Sequence, residues 1–273
     1  MRWGRAAALA VCALGAVGVA CSDDDESFEQ QIEVGGRPTA IALVAGSVWV
    51  VDHDGGEVVR IDAGSREVTD RIPVDVDANG LIGADESLWV VGPDSLARID
   101  TASNQVAVEV ERTTTSLAFG GGRLFALAEG EITELDPVSG EELGVVDVDV
   151  ITVLDGPMLA LDDSLWFSVF DGGPEQLARY DLALQTVTSL AIVDEPAAMA
   201  STGELVWVLG RHRSLDALDA GTGEIVQRSE LPDGTILDQG DWSLAVANDG
   251  TMWAVAQPEQ ELFLLHSSTG EIL

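Results

Sequence analysis

The side chains best suited to recognition lie in three irregular stretches. Arg211-His212-Arg213 is the densest cationic cluster after the N-terminal segment. Leu231 to Trp242 is a lengthened connection that carries Asp238, Asp241 and Trp242, and Phe170 to Gln176 carries Asp171 and Glu175. One indole, two guanidinium groups and several carboxylates can hold a polar protein surface or a sugar. A blander account also fits: the arginines pair with nearby carboxylates, Trp242 packs inward, and the lengthened loops drift neutrally.

Metal chemistry has fewer candidates. The chain holds three histidines, His53, His212 and His266. Asp52 and Asp54 flank His53 in Asp52-His53-Asp54-Gly55-Gly56, a metal-friendly run built of ordinary turn formers. Asn79 and Asp155 are the other weak metal candidates. The sequence has no Gly-x-Ser-x-Gly, no His-Glu-x-x-His, no phosphate loop and no EF-hand spacing. These patterns supply no catalytic residue and no cofactor, and leave only a divalent cation open.

Charge narrows the partners. The formal net charge is −35, and every one of the 13 basic side chains is an arginine. Phosphate backbones and anionic lipids need clustered cations, so nucleic acid is excluded as a partner and membrane contact must come by another route. Apolar residues make up 46% of the chain, enough for a packed core.

That other route is written at the N-terminus. Arg2 and Arg5 precede an apolar run, Ala6 to Val19, of signal-peptide length. Gly18-Val19-Ala20-Cys21 resembles the lipobox of bacterial lipoproteins. The resemblance implies that residues 1–20 are a signal peptide and that Cys21 receives a diacylglyceryl group. Residues 21–27, with Asp23, Asp24, Asp25 and Glu26, read as an acidic tether. The expected location is extracytoplasmic, anchored by lipid to a bacterial membrane or envelope. Cys12 falls within the signal, so the mature chain has no partner for an internal disulfide.

The remaining chain is a repeat that positions these groups. A bulky aromatic recurs at Trp49, Trp89, Phe125, Trp166, Trp207 and Trp253, at intervals of 40, 36, 41, 41 and 46 residues. Each is followed by a strand ending in Arg60-Ile61-Asp62 or its counterparts, Arg98-Ile99-Asp100, Glu134-Leu135-Asp136, Arg179-Tyr180-Asp181 and Ala217-Leu218-Asp219. Short strands, turn residues and a period near 40 predict blades of a β-propeller. The recurring Asp is expected to accept backbone N–H bonds two residues on, fixing a turn. The predicted fold is all-β: a six-bladed β-propeller over 28–273, with four-stranded antiparallel blades. The N-terminal strand, Phe28 to Val34, is expected to complete the last blade.

Gly-x-x-Trp-Val, Arg-Ile-Asp and Thr-Gly-Glu together resemble the YVTN and NHL-like propeller repeats, and are similar to virginiamycin B lyase-type repeats. The resemblance implies partner-binding domains, sensors and a few enzymes, because the matching positions are structural. A propeller lyase or lactonase would place a metal at the channel mouth, where only Asn79 and Asp155 stand. The sequence thus reads as a binding, interaction or sensor scaffold for a protein or carbohydrate partner. The alternative is a metal-dependent lyase or lactonase.

Overall fold

The computed structural model describes residues 32–148, 152–170, 172, 175–193, 195–212, 214–230, 242–246, 251–256 and 261–266. The described elements are strands, joined by turns and irregular segments. None of them is a helix long and apolar enough to cross a membrane. The first sheet runs β1 (Pro38–Val44), β2 (Ser47–Asp52), β3 (Glu57–Asp62) and β4 (Val68–Pro73), paired in chain order. The second holds β5 (Gly80–Ala84), β6 (Ser87–Val91), β7 (Ser95–Asp100) and β8 (Gln105–Glu111), and the third β9 (Ser116–Gly120), β10 (Arg123–Ala128), β11 (Glu131–Leu135) and β12 (Glu142–Val145). The fourth holds β13 (Thr152–Ala160), β14 (Ser164–Phe170), β15 (Gln176–Asp181) and β16 (Thr186–Ile192), and the fifth β17 (Pro196–Ser201), β18 (Leu205–Gly210), β19 (Ser214–Asp219) and β20 (Ile225–Glu230). The last holds β21 (Trp242–Val246), β22 (Thr251–Ala256) and β23 (Glu261–His266).

The expected six-bladed propeller is corrected on this point: among the described residues there are five four-stranded blades, and the last sheet shows three strands. The N-terminal stretch does not supply the missing strand among the described residues. Phe28 and the rest of 28–31 lie outside them. Ile32 and Val34 follow in non-strand backbone and bury against Val48, Val50, Val59 and Ile61 of the first blade. Backbone contacts hold this segment there. The Arg37 N–H donates to Asp52 Oδ1 at 3.2 Å, and the His53 N–H donates to the Arg37 carbonyl at 3.0 Å. The apolar spacing of Ile32 and Val34 thus reports burial against the first blade.

Contacts group the chain into two compact units, Met1–Gly92 with Ala97–Ala107, and Pro93–Leu96 with Val108–Leu273. Within the first, β1 lies beside β5; within the second, β9, β13, β17 and β21 neighbour one another in succession. Within each unit first strands therefore stack on first strands, and in three blades the aromatic of the second strand fills the gap to the next. Trp49 packs with Leu81, Leu88 and Val90; Phe125 with Leu165 and Phe167; Trp166 with Val206, Val208 and Leu218. All three aromatics are fully buried. Backbones approach closely as well: a Cβ on Gly120 would stand 2.4 Å from the Ala160 carbonyl oxygen, so only glycine fits at that crossing.

The recurring aspartates close the third-to-fourth strand turns. Asp62 Oδ1 accepts from the N–H groups of Gly64 and Ser65, Asp136 Oδ1 from Val138 and Ser139, Asp181 Oδ1 from Ala183 and Leu184, and Asp219 Oδ1 from Gly221 and Thr222. The Ser103 hydroxyl and N–H do the same for Asp100. These donors favour the carboxylate and set acid behaviour. The Ser65 N–H holds Asp62 below the usual carboxylate range, the Ser103 hydroxyl holds Asp100 there, and the Thr222 N–H holds Asp219 there. Because each folded value lies below the unfolded one, the stabilisation is complete above about pH 4 and is lost as pH falls through the folded values. A triple Asp62→Asn, Asp100→Asn, Asp219→Asn variant is expected to lose this component, giving a shallower fall of melting temperature below about pH 4. A pH series of thermal melts checks it; identical acid limbs would overturn the assignment.

In the first and fourth blades the third-strand arginine latches the neighbouring blade. Arg60 donates from Nη1 to Asn104 Oδ1 at 2.7 Å and to the Thr101 carbonyl at 3.1 Å, in the turn of the second blade, and lies over the Trp49 ring. Arg179 donates from Nε to the Ala220 carbonyl at 2.8 Å, in the turn of the fifth blade. The Arg-x-Asp motif is therefore two fasteners in series, one within a blade and one between blades.

Candidate functional site

The sequence-based candidates separate in the structure. Arg211 and His212 form an exposed turn between β18 and β19, and the Arg211 N–H donates to the Glu195 carbonyl at 3.1 Å. Glu175 is half-buried just ahead of β15. Asp171, Arg213, Asp238 and Asp241, like Cys21, lie outside the described residues. Trp242 opens β21, with its backbone paired to Ala256.

The metal candidates are already engaged. Asp52 is buried and accepts from the Arg37 N–H, while the Arg37 guanidinium pairs with Asp54 at 3.0 Å. His53 donates from Nδ1 to the Ala78 carbonyl at 2.7 Å and places Nε2 3.4 Å from Asp77 Oδ1. This cluster pins the segment ahead of β1 and the loop ahead of β5. Asn79 is exposed, and its N–H pairs with the Val91 carbonyl. Among the described residues, no three His, Cys, Asp or Glu side chains are grouped to hold a metal ion.

Asp155 leads to a different site. It stands in a bulge of β13, where the register shifts between Val153 and Met158. Its Oδ1 accepts from the Gly130 N–H at 3.2 Å and from the Thr115 hydroxyl at 3.3 Å. Glu129 and Gly130 form the two-residue turn between β10 and β11, both with positive φ, 52° and 75°. Such paired left-handed residues make a type I′ hairpin, in which Asn, Asp or Gly is favoured over Glu. This turn is the shortest of the second-to-third strand connections in the five four-stranded blades, which run from two to five residues. The tight turn leaves room above the blade.

That room is a cavity of about 310 Å³ lined by Arg112, Thr113, Ala128, Glu129, Glu131 and Thr133. The wall from Arg112 to Thr115 is held by main-chain bonds. The N–H groups of Arg112, Thr114 and Thr115 reach the carbonyls of Asp94, Pro93 and Leu127 at 2.9, 3.1 and 2.8 Å. Arg112 Nη1 lies 3.4 Å from Glu142 Oε2, while its Nε is buried and without a hydrogen-bond partner among the described residues. A buried donor left without an acceptor costs about 1–3 kcal/mol. The cavity therefore sets one under-used cationic donor against two carboxylates and two hydroxyls. Below it, Arg123 makes a bidentate pair with Glu134 at 2.8 and 2.6 Å, whose hydrogen bonds hold that carboxyl below its usual range.

Sequence reasoning missed these lining residues, yet one signal marks them. The position before the recurring Arg is Val59, Ala97 and Ala178 in three blades, but Thr133 in the third. Thr133 is buried at the floor of the cavity. In that column the only other polar residue of the five four-stranded blades is Asp216, which pairs with Arg228.

No protein-family model matches the chain, and no curated protein matches it. Solved structures do. The hydrazine synthase of Kuenenia stuttgartiensis matches with a TM-score of 0.62 at 14% identity, covering 85% of this chain and 77% of that one. The computationally designed Ika8 protein matches with a TM-score of 0.55 at 17% identity, over 86% of this chain and 73% of that one. BamB from Moraxella catarrhalis matches with a TM-score of 0.52 at 14% identity, over 86% and 75%. At these identities the likeness carries the β-propeller fold and nothing of activity.

Proposed function

We propose that the chain is a membrane-anchored extracytoplasmic lipoprotein whose β-propeller is a binding scaffold for a protein or carbohydrate partner. The anchor is Cys21, on the lipobox-like Gly18-Val19-Ala20-Cys21. The observation that carries the binding role is the polar cavity over the third blade, built from two connecting segments on rigid strands. Loops on a rigid scaffold are where recognition residues concentrate. The exposed Arg211–His212 turn adds a cationic contact on a chain of net charge −35. A partner with an acidic or hydroxyl-rich contact suits it.

Cross-linking on intact envelopes followed by recovery of the chain tests both parts. Wild-type chain is expected in the membrane fraction with a discrete partner. Cys21→Ser is expected to move to the aqueous fraction, and Arg211→Ala with Arg213→Ala to lower partner recovery several-fold without moving the melting temperature. Membrane retention of Cys21→Ser would remove the anchor, and undiminished recovery by the arginine variant would remove the role of that turn.

A further inference from the structure

We propose that the cavity over the third blade takes the zwitterion of a small amino acid, its carboxylate on Arg112 and its ammonium between Glu129 and Glu131; this rests on reading that loop face as a binding face. The residues of the cavity impose three conditions on a ligand. It must bring an acceptor to the Arg112 guanidinium, which lines the space and meets Glu142 through Nη1 at 3.4 Å. A carboxylate meets this best, because the guanidinium edge matches its geometry and charge. It must also bring donors to Glu129 and Glu131, which line the same space. An ammonium group has three donors and no acceptor. Finally, a net negative charge is disfavoured locally, because two carboxylates and one guanidinium line the same space. An amino-acid zwitterion meets all three with one small skeleton.

Volume and lining agree. About 310 Å³ is at the small end of the ~300–1,000 Å³ range of ligand sites. Thr113 and Thr133 offer hydroxyls that can complete the bonds to either end. No aromatic side chain lines the space, and its apolar contact is Ala128. A sugar ring would therefore lose the flat apolar platform on which its C–H face packs. Glu129 is also held in the left-handed region, which a non-glycine residue keeps only where its surroundings impose it. The Asp155 bond to the Gly130 N–H fixes that turn, so the carboxylate is presented by a pinned backbone.

Isothermal titration of the full-length chain in detergent, at fixed ionic strength, tests the proposal with glycine, alanine and glutamine. Acetate, methylammonium and methyl glucoside are the comparison ligands. Saturable heat from at least one amino acid, with at least ten-fold weaker response to acetate and methylammonium, is expected. Arg112→Ala and Glu131→Gln are each expected to weaken it at least ten-fold. Glu131 is exposed, so its variant keeps the test sound even if Arg112→Ala, which also loses the Glu142 contact, melts early. Absence of saturable heat, equal response to acetate, tighter binding of the glucoside, or unaltered binding by Glu131→Gln would each overturn it. Partner recovery from envelopes is a separate readout: a failed titration with intact partner capture removes the amino-acid ligand and leaves the scaffold reading standing.

Discussion

Trp166→Ala is expected to lower the melting temperature by roughly 6–20 °C. Trp166 is fully buried and packs between the fourth and fifth blades with Leu177, Val206, Val208 and Leu218. Removing a buried indole loses its transfer free energy and leaves a void that rigid strands on both sides cannot fill. Such changes cost about 3–5 kcal/mol, and each kcal/mol moves the midpoint of a chain this size by about 2–4 °C. The indole also donates to Ser164 Oγ at 3.3 Å, so the hydroxyl loses a partner as well. Trp166→Phe keeps most of the volume and should lose less than half as much. A calorimetric scan of the two variants decides it: a loss under about 2 °C for the alanine would mean that the aromatic does not wedge the blades.

Arg179→Ala follows with an expected loss of about 2–4 kcal/mol. Arg179 is 5% exposed, yet its guanidinium donates to the Ala220 carbonyl at 2.8 Å and to the Thr188 hydroxyl at 2.9 Å. Truncation would leave that carbonyl without this donor and open a gap between adjacent blades. Arg179→Lys is expected to recover little, because a point ammonium cannot reach both acceptors at once. Denaturant melts at low and high salt provide the check. A loss that vanishes at high salt would identify a screened surface pair with Asp163, 3.6 Å away, and would contradict the buried latch.

The aromatic wedges were legible in the sequence because they recur, whereas the arginines recurred without revealing their reach to the next blade. A side chain that must fill the same gap in every blade leaves the same residue type at the same spacing. The turn aspartates were legible for the same reason, since Asp62, Asp136, Asp181 and Asp219 each answer the same pair of N–H groups. The number of complete blades was not legible. Val34 resembles Val74 in spacing, and both are buried. Spacing shows that a side chain packs inward; it does not show which strand the backbone joins, because that depends on segments far apart in the chain. The cavity escaped notice for a different reason. Arg112, Thr113 and Glu129 are ordinary polar loop residues, Glu131 is an exposed strand residue, and of the five only Thr133 departs from a largely apolar column of the repeat. The long insertion before β21 lies outside the described residues, whereas this cavity opens where a connection is shortest.

The forward reach of the arginine latches has a consequence during synthesis. Arg60 waits for Asn104, 44 residues later, and Arg179 waits for Ala220, 41 residues later. A ribosome adding about 5–20 residues each second delivers that partner only after roughly 2–9 seconds. In that interval the newly made blade exposes one face, with its indole uncovered and its guanidinium unsatisfied. The first and fourth blades are thus completed by their successors, and a nascent chain that has made either one carries a sticky, unlatched end until the next blade follows. A chain exported across a membrane before folding would meet the same order again on the far side, with the first-emerging blade waiting for the second.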